Sequence, residues 1–209
     1  MFELCVITDR VLSGGRSESE VAGLAYSGGA DIVQLRMKGS DGKEMLEQAR
    51  EIKRLSDKYS RFFIVNDRID IAILSDADGV HLGQSDVPAG CARELLGDDK
   101  LIGVTVHNAE EAAEAESNGA DYVCVGSVFR TDTKRDARQN VGLDTVFTVR
   151  EAVDIPVLAI GGINRGNIQD VIRAGADGAA VVSSVVSRND ISAAAHELRD
   201  MILKVRPNM

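Results

Sequence analysis

A chain of 209 residues, 44% hydrophobic and 27% charged, is long enough to bury a sizeable core beneath a hydrated surface. Its 24 Lys and Arg stand against 33 Asp and Glu, a formal net charge of −9, which argues against nucleic acid or an anionic membrane as the main partner. Cys5, Cys91 and Cys124 form no C-x-x-C pair, so no disulfide framework is expected and a reducing cytoplasm is.

The first apolar run, LCVIT (4–8), is broken by Asp9 and Arg10. It has no basic leader and is too short for a signal peptide or a membrane span, so it reads as a strand. A short punctuation mark then recurs along the chain: GADI at Gly29, DADG at Asp76, GADY at Gly119 and GADG at Gly175. Three of the four begin with Gly, the residue that ends a helix in the left-handed conformation. Each is followed by an apolar or β-branched run, so each marks a helix-to-strand joint.

After the first mark comes VQLRMK, in which Gln34, Arg36 and Lys38 alternate with apolar partners. Alternation places all three on one face of a strand. The next segment, 44–59, carries a helical stripe of Met45, Ala49, Ile52 and Leu55. FFIV (62–65) reads as a strand ending in Asn66, Asp67 and Arg68, and GVHLG as one ending in Gln84, Ser85 and Asp86. LIGV (101–104) leads to Thr105 and His107, and an Ala/Glu-rich helix leads to YVCVG. The stretch 127–141, SVFRTDTKRDARQNV, reads as a loop; VLAI (157–160) runs into GGIN, and AAVV into Ser183 and Ser184.

Eight nearly continuous apolar runs alternating with helical segments predict a parallel sheet covered by helices. The G-x-G-x-x-G fingerprint of an open nucleotide-binding sheet is absent. The class expected is α/β, a (β/α)8 TIM barrel, with 1–209 forming a single domain because no linker or composition break divides it. A polar strand end taken alone is usually a turn or a helix cap. Eight of them converging on the C-terminal rim of a barrel mark the place where such barrels carry their sites.

The two glycines of GGIN let backbone N–H groups approach an anion, and the serines after AAVV add hydroxyls, so loops seven and eight are a candidate phosphate site. The bland reading is that the glycines only make a tight turn. Arg36, Lys38 and Lys134 beside Asp67 and Asp86 suggest a second, more highly charged anion. Two carboxylates without a His or Cys cluster suit Mg2+, which commonly bridges carboxylates to phosphate oxygens. His81, inside an apolar strand, and His196 receive no role.

The ordered set VITDR, VQLRMK, FFIVNDRIDIAILSDADGVHLGQSD, IGVTVH, GADYVCVGSVFRTDTKRD, IPVLAIGGIN and GADGAAVVSS resembles the thiamine phosphate synthases from about residue 4 to 187. The resemblance implies a barrel enzyme that joins a hydroxymethylpyrimidine diphosphate to a thiazole phosphate and releases pyrophosphate. It implies Gln34, Leu35, Arg36, Met37, Lys38, Asn66, Thr105 and Lys134 around the pyrimidine diphosphate. Thr131, Asp132, Thr133, Gly161, Gly162, Val182 and Ser183 would surround the thiazole phosphate. Asp67 and Asp86 would hold Mg2+, and Arg36, Lys38 and Lys134 would serve the departing diphosphate as catalytic residues. The partners implied are phosphorylated small molecules; a homodimer is compatible with the sequence, which encodes no oligomeric state.

Two departures stand out. Met37 replaces the usual acidic residue of Q-x-R-E-K, and GSVFRT replaces a Gly-Pro-x-aromatic-Pro-Thr stretch. The second also resembles the paralogous thiazole tautomerases, where a histidine is expected near Ser127 and the metal carboxylates tend to be lost. A phosphate-ligand sensor without catalysis, using only GGIN and VVSS, is the remaining alternative.

Overall fold

The computed structural model describes residues 2–131 and 140–206. Its strands are β1 (Leu4–Ile7), β2 (Ile32–Leu35), β3 (Phe62–Asn66), β4 (Gly79–Leu82), β5 (Leu101–Val106), β6 (Tyr122–Val125), β7 (Val157–Ile160) and β8 (Gly178–Val181). They pair in sequence order, all parallel, and β8 pairs with β1, which closes the barrel. Between them run α1 (Glu18–Ser27), α2 (Gly42–Tyr59), α3 (Ile69–Leu74), α4 (Ala89–Leu96), α5 (Ala109–Ser117), α6 (Gly142–Ala152) and α7 (Ile168–Arg173); the short α8 (Ser183–Val186) and α9 (Ile191–Leu203) follow β8. The expected (β/α)8 TIM barrel is present.

Strand parity sorts the core into two compartments. Outward residues such as Val33, Leu35, Phe63, Val65 and Val80 pack under the helices. Inward ones, among them Cys5, Ile32, Ile64, Tyr122 and Leu158, fill the barrel interior. The helices begin at side-chain caps that the sequence carries: Ser17, Asp41, Asn108 and Asp190 each accept a hydrogen bond from a backbone N–H three residues on. The predicted stripe on α2 is buried at Met45, Ala49 and Ile52, with Leu55 packed partly against the core.

The four punctuation marks all fold alike. Gly29, Asp76, Gly119 and Gly175 have φ of +93°, +54°, +87° and +106°. Each of these residues donates to the carbonyl three back, and the Ala that follows donates to the carbonyl five back, as in Ala30 N to Ala25 O at 3.0 Å and Ala176 N to Val171 O at 3.1 Å. This is the Schellman closure, and the buried Ala seals it.

The Asp in third place does something different. Asp31 N donates to Leu4 O at 2.9 Å, while the Asp31 carboxylate accepts from Leu4 N at 3.1 Å. Asp78 makes the same two-way ring with Phe63, Asp121 with Ile102 and Asp177 with Val157. Each carboxylate also meets a cation from the helix layer or a joint: Arg61, Lys53, Arg93 and Arg150 in turn. The rings tie β1 to β2, β3 to β4, β5 to β6 and β7 to β8 at the N-terminal end of the barrel.

Asp31 is the most enclosed of the four, with 6% side-chain exposure. Asp31→Ala strands the Glu3 and Leu4 N–H groups and removes the carboxylate that faces the Arg61 guanidinium. We expect a loss of about 3 kcal/mol and a melting temperature lower by roughly 6–12 °C. Asp57→Ala, on the exposed face of α2, should change stability by less than about 0.5 kcal/mol. Paired chemical and thermal denaturation curves check both.

Candidate active site

At the C-terminal ends of the strands lies a cavity of about 410 Å3 lined from the end of every strand or the joint that follows it. Gln34, Arg36, Lys38, Asn66, Asp67, Asp86, Thr105, Thr131, Gly161, Gly162, Val182 and Ser183, all expected from the sequence, line it. Leu35 and Met37 do not: parity turns them outward into the helix-side core, where they are 0% and 9% exposed. The outward turn of Met37 agrees with the strand alternation, and any contact of these two residues with a substrate would have to come through their backbone. Asp132, Thr133 and Lys134 lie outside the described residues.

One side of the cavity is densely charged. Thr8 N donates to Gln34 O at 2.9 Å, and Arg36 N donates to the Thr8 hydroxyl at 3.0 Å, which joins the ends of β1 and β2. The Arg36 guanidinium stands 3.6 Å from Asp9 Oδ2, an ion pair that aims it without saturating its five donors. The Lys38 ammonium caps the Asp67 carboxylate. Asp67 itself has φ +62°, a left-handed conformation that Asp tolerates and that recurs at functional corners.

Asp86 sits in the turn after β4 and accepts from Gly83 N at 2.8 Å. Partial burial raises its carboxyl above the ordinary range. The Gly83 N–H opposes that shift, the hydrogen bond and like charge of Asp67 add to it, and Lys38 pulls it back down. A carboxylate pair held together against its own repulsion is a favourable place for a cation. The donor set is two carboxylates, with no group of three or more His, Cys, Asp or Glu among the described residues. That fits Mg2+, which completes its octahedron with water and phosphate oxygens rather than with a protein cage.

The opposite side is built from backbone. Gly161 and Gly162 have φ of +99° and +65°, and a Cβ on either would strike Ser127 or the Phe129–Arg130 segment. The bend therefore presents peptide groups to the cavity without side chains in the way. Asn164 and Asn167 each donate their amide to Gly162 O at 3.0 Å and hold the bend in shape. Val182 and Ser183 adjoin it at the start of α8. The base of the 127–141 segment is anchored here: Val141 N bonds Ser127 O at 2.8 Å, and Val128 N bonds Ile160 O at 2.8 Å.

Residues without a prior assignment also line the cavity. Ile7, Ile160 and Ala180 give it an apolar floor. His107 borders it with Nδ1 and backbone N both held by Glu111 Oε2 at 2.8 Å. His81, given no role from the sequence, is 5% exposed and faces inward between Tyr122 and Thr105. Its signal was parity alone: His81 shares the face of Gly79 and Gly83, two positions away on either side.

A closed parallel barrel with a cationic and acidic corner facing a side-chain-free backbone bend defines a phosphate-handling (β/α)8 barrel. The family model for "Thiamine monophosphate synthase" matches residues 4–185. A thiamine-phosphate synthase of Chloroflexus aurantiacus is 49% identical over 201 residues, covering 96% of this chain and 93% of that protein. That of Methanocella arvoryzae is 47% identical over 205 residues, covering 98% and 97%. The thiamine phosphate pyrophosphorylase structure from Pyrococcus furiosus superposes with a TM-score of 0.90 at 42% identity, covering 98% of this chain and 96% of that one. The chain belongs to the thiamine monophosphate synthase family.

The raised Asp86 carboxyl carries a stability sign opposite to that of most surface acids. The folded chain holds this proton more tightly than the unfolded one, so ionised Asp86 is a penalty above its folded pKa. That penalty is relieved as pH falls through the folded pKa. Asp86→Asn removes the like charge and keeps an acceptor for Gly83 N–H. Without Mg2+ it should melt about 1–2 °C above the parent at neutral pH, with the gap closing as the pH approaches 4. Differential scanning calorimetry at both pH values checks this.

Proposed function

We propose that this chain joins 4-amino-2-methyl-5-hydroxymethylpyrimidine diphosphate to 4-methyl-5-hydroxyethylthiazole phosphate, or to its 2-carboxy form with release of CO2, to give thiamine phosphate and pyrophosphate. The observation that carries the reading is the pairing of two unlike anion-binding surfaces in one cavity. Arg36 and Lys38 stand with Asp67 and Asp86 on one side, and Gly161–Gly162 with Ser183 on the other.

Gln34 and Asn66 are suited to hydrogen-bond the pyrimidine, and Arg36 and Lys38 to bind its diphosphate. The C–O bond breaks first, and its electron pair leaves on the diphosphate oxygen. Arg36, Lys38 and Lys134 stabilise the charge that accumulates there, an effect that grows toward the transition state. Asp67 and Asp86 would hold Mg2+, which when bound neutralises part of the diphosphate charge. The pyrimidinylmethyl cation left behind is captured by the thiazole nitrogen. Ile7, Ile160 and Ala180 line the floor and limit competing attack by water. The thiazole's phosphate rests on the Gly161–Gly162 bend and the start of α8, with Thr131 beside it. Ser127, where a tautomerase would carry histidine, lines the cavity without an imidazole.

Among the described residues no helix is long and apolar enough to cross a membrane. Cys5, Cys91 and Cys124 are free thiols, as suits the reducing cytoplasm in which this reading places the chain. A homodimer remains part of the proposal, to be checked by light scattering.

The decisive assay measures pyrophosphate and thiamine phosphate together. Both are expected only when both substrates and Mg2+ are supplied. Arg36→Ala should lower kcat by roughly 100- to 1,000-fold, and an Asp67→Ala/Asp86→Ala double variant should lose Mg2+-dependent turnover. Normal turnover in that double variant would overturn the metal assignment, and the absence of thiamine phosphate when both substrates and Mg2+ are supplied would overturn the condensation.

A further inference from the structure

Thr105 is carried to the rim by β5, and its hydroxyl is oriented from below. Tyr122 stands in the barrel interior at 1% exposure. Its ring crosses the space where Gly103 of the neighbouring strand has no side chain, and a Cβ there would collide with the ring. The Tyr122 hydroxyl thereby passes over β5 and meets His81 Nδ1 on β4 at 3.1 Å, its one hydrogen-bonding partner among the described residues. His81 Nε2 in turn meets Thr105 Oγ1 at 2.8 Å.

The direction of this chain of bonds follows from which atoms must donate. A buried O–H that donates to nothing is costly, so Tyr122 donates to Nδ1. Nδ1 is then the acceptor nitrogen of a neutral imidazole, and the ring proton resides on Nε2. Nε2–H donates to Thr105 Oγ1. Thr105 keeps its own hydrogen to give, and the cavity it lines offers the direction for it.

We propose that Tyr122 and His81 are positioning residues that fix the Thr105 hydroxyl as a hydrogen-bond donor toward an acceptor atom of the bound substrate. The acceptor class is an oxygen or an unprotonated ring nitrogen of the diphosphate-bearing partner. A ligand presenting a donor at that point meets a hydroxyl already turned against it, which makes the relay a specificity device. The identity of the ligand rests on the condensation reading above; the proton arrangement does not.

Two experiments on the full chain separate these layers. Long-range 1H–15N NMR of protein labelled at histidine, without substrate and at neutral pH, reads the tautomer. His107 and His196 are assigned by replacing each in turn. The Nε2–H tautomer is expected for His81, and finding Nδ1–H or the imidazolium overturns the proposal.

The second experiment is a kinetic cycle. Tyr122→Phe removes only the hydroxyl and should lower kcat/KM for the pyrimidine diphosphate about 5- to 10-fold, while in a Thr105→Val background it should change it less than about 2-fold, because the effect runs through Thr105. Thr105→Ser keeps the hydroxyl and should retain the kcat/KM that Thr105→Val lowers to a still measurable level. Equal fold losses from Tyr122→Phe in both backgrounds would assign the tyrosine to structure alone and overturn the proposal. If the parent chain forms no thiamine phosphate, the condensation reading fails, and the tautomer measurement still decides the relay.

Discussion

Asp31, Asp78, Asp121 and Asp177 each close a ring with a residue at the start of the preceding strand, and the rim at the far end of the barrel depends on those four rings. Most strands here have only four residues, so the ladder alone offers few bonds with which to choose a register. A slip by one residue would turn every inward side chain outward. Gln34, His81 and Thr105 would then be driven into the apolar helix layer, and Leu35 and Leu82 into the cavity. Each ring holds its strand pair at the bottom, where a cation from outside the barrel compensates the carboxylate. The register is thereby held from below, and side chains at the upper ends are available for chemistry.

That division of labour explains how the chain tolerates so much unfavourable electrostatics at the rim. Asp67 and Asp86 face one another, Asp67 turns through a left-handed conformation, and Arg36 is aimed by a long ion pair with Asp9. None of this is what a stability-driven arrangement would select. It is sustained because the joints beneath it are over-determined, and because the helices carry their own caps and Schellman closures. The site's repulsion is stored locally in two side chains rather than spread into the sheet.

Much of this was legible in the sequence, for reasons that differ by residue. The Gly-Ala-Asp marks announce helix ends because only glycine, or here Asp76, takes positive φ at little cost. The rim residues are legible because polar side chains at a strand tip must face either water or a ligand. The second duty of the Asp in each mark was not legible. Its partner lies 15 to 27 residues away across the sheet, and no local pattern reports that distance. Leu35 and Met37 entered the candidate set through the resemblance, whereas alternation alone assigns them to the helix side. His81 was passed over because one histidine in an apolar run has the pattern of a packed residue. What distinguishes it is Tyr122, forty-one positions along and beside it only in three dimensions.

The interior of the barrel is graded rather than uniformly apolar, and the grading links the two ends. Cys5, Ile32, Ile64 and Leu158 fill the inner cluster, and burial pushes the Cys124 thiol up to about 12, so this layer carries no charge at neutral pH. Above it come single polar groups joined by hydrogen bonds, Tyr122 to His81 and His81 to Thr105. Only at the rim do full charges appear, where the cavity opens. A charge one layer lower would bear the desolvation cost without an anion to offset it. The neutral layer instead passes orientation upward, from a glycine that makes room for a tyrosine to a hydroxyl at the edge of the cavity, and keeps the ionised groups where a diphosphate can reach them.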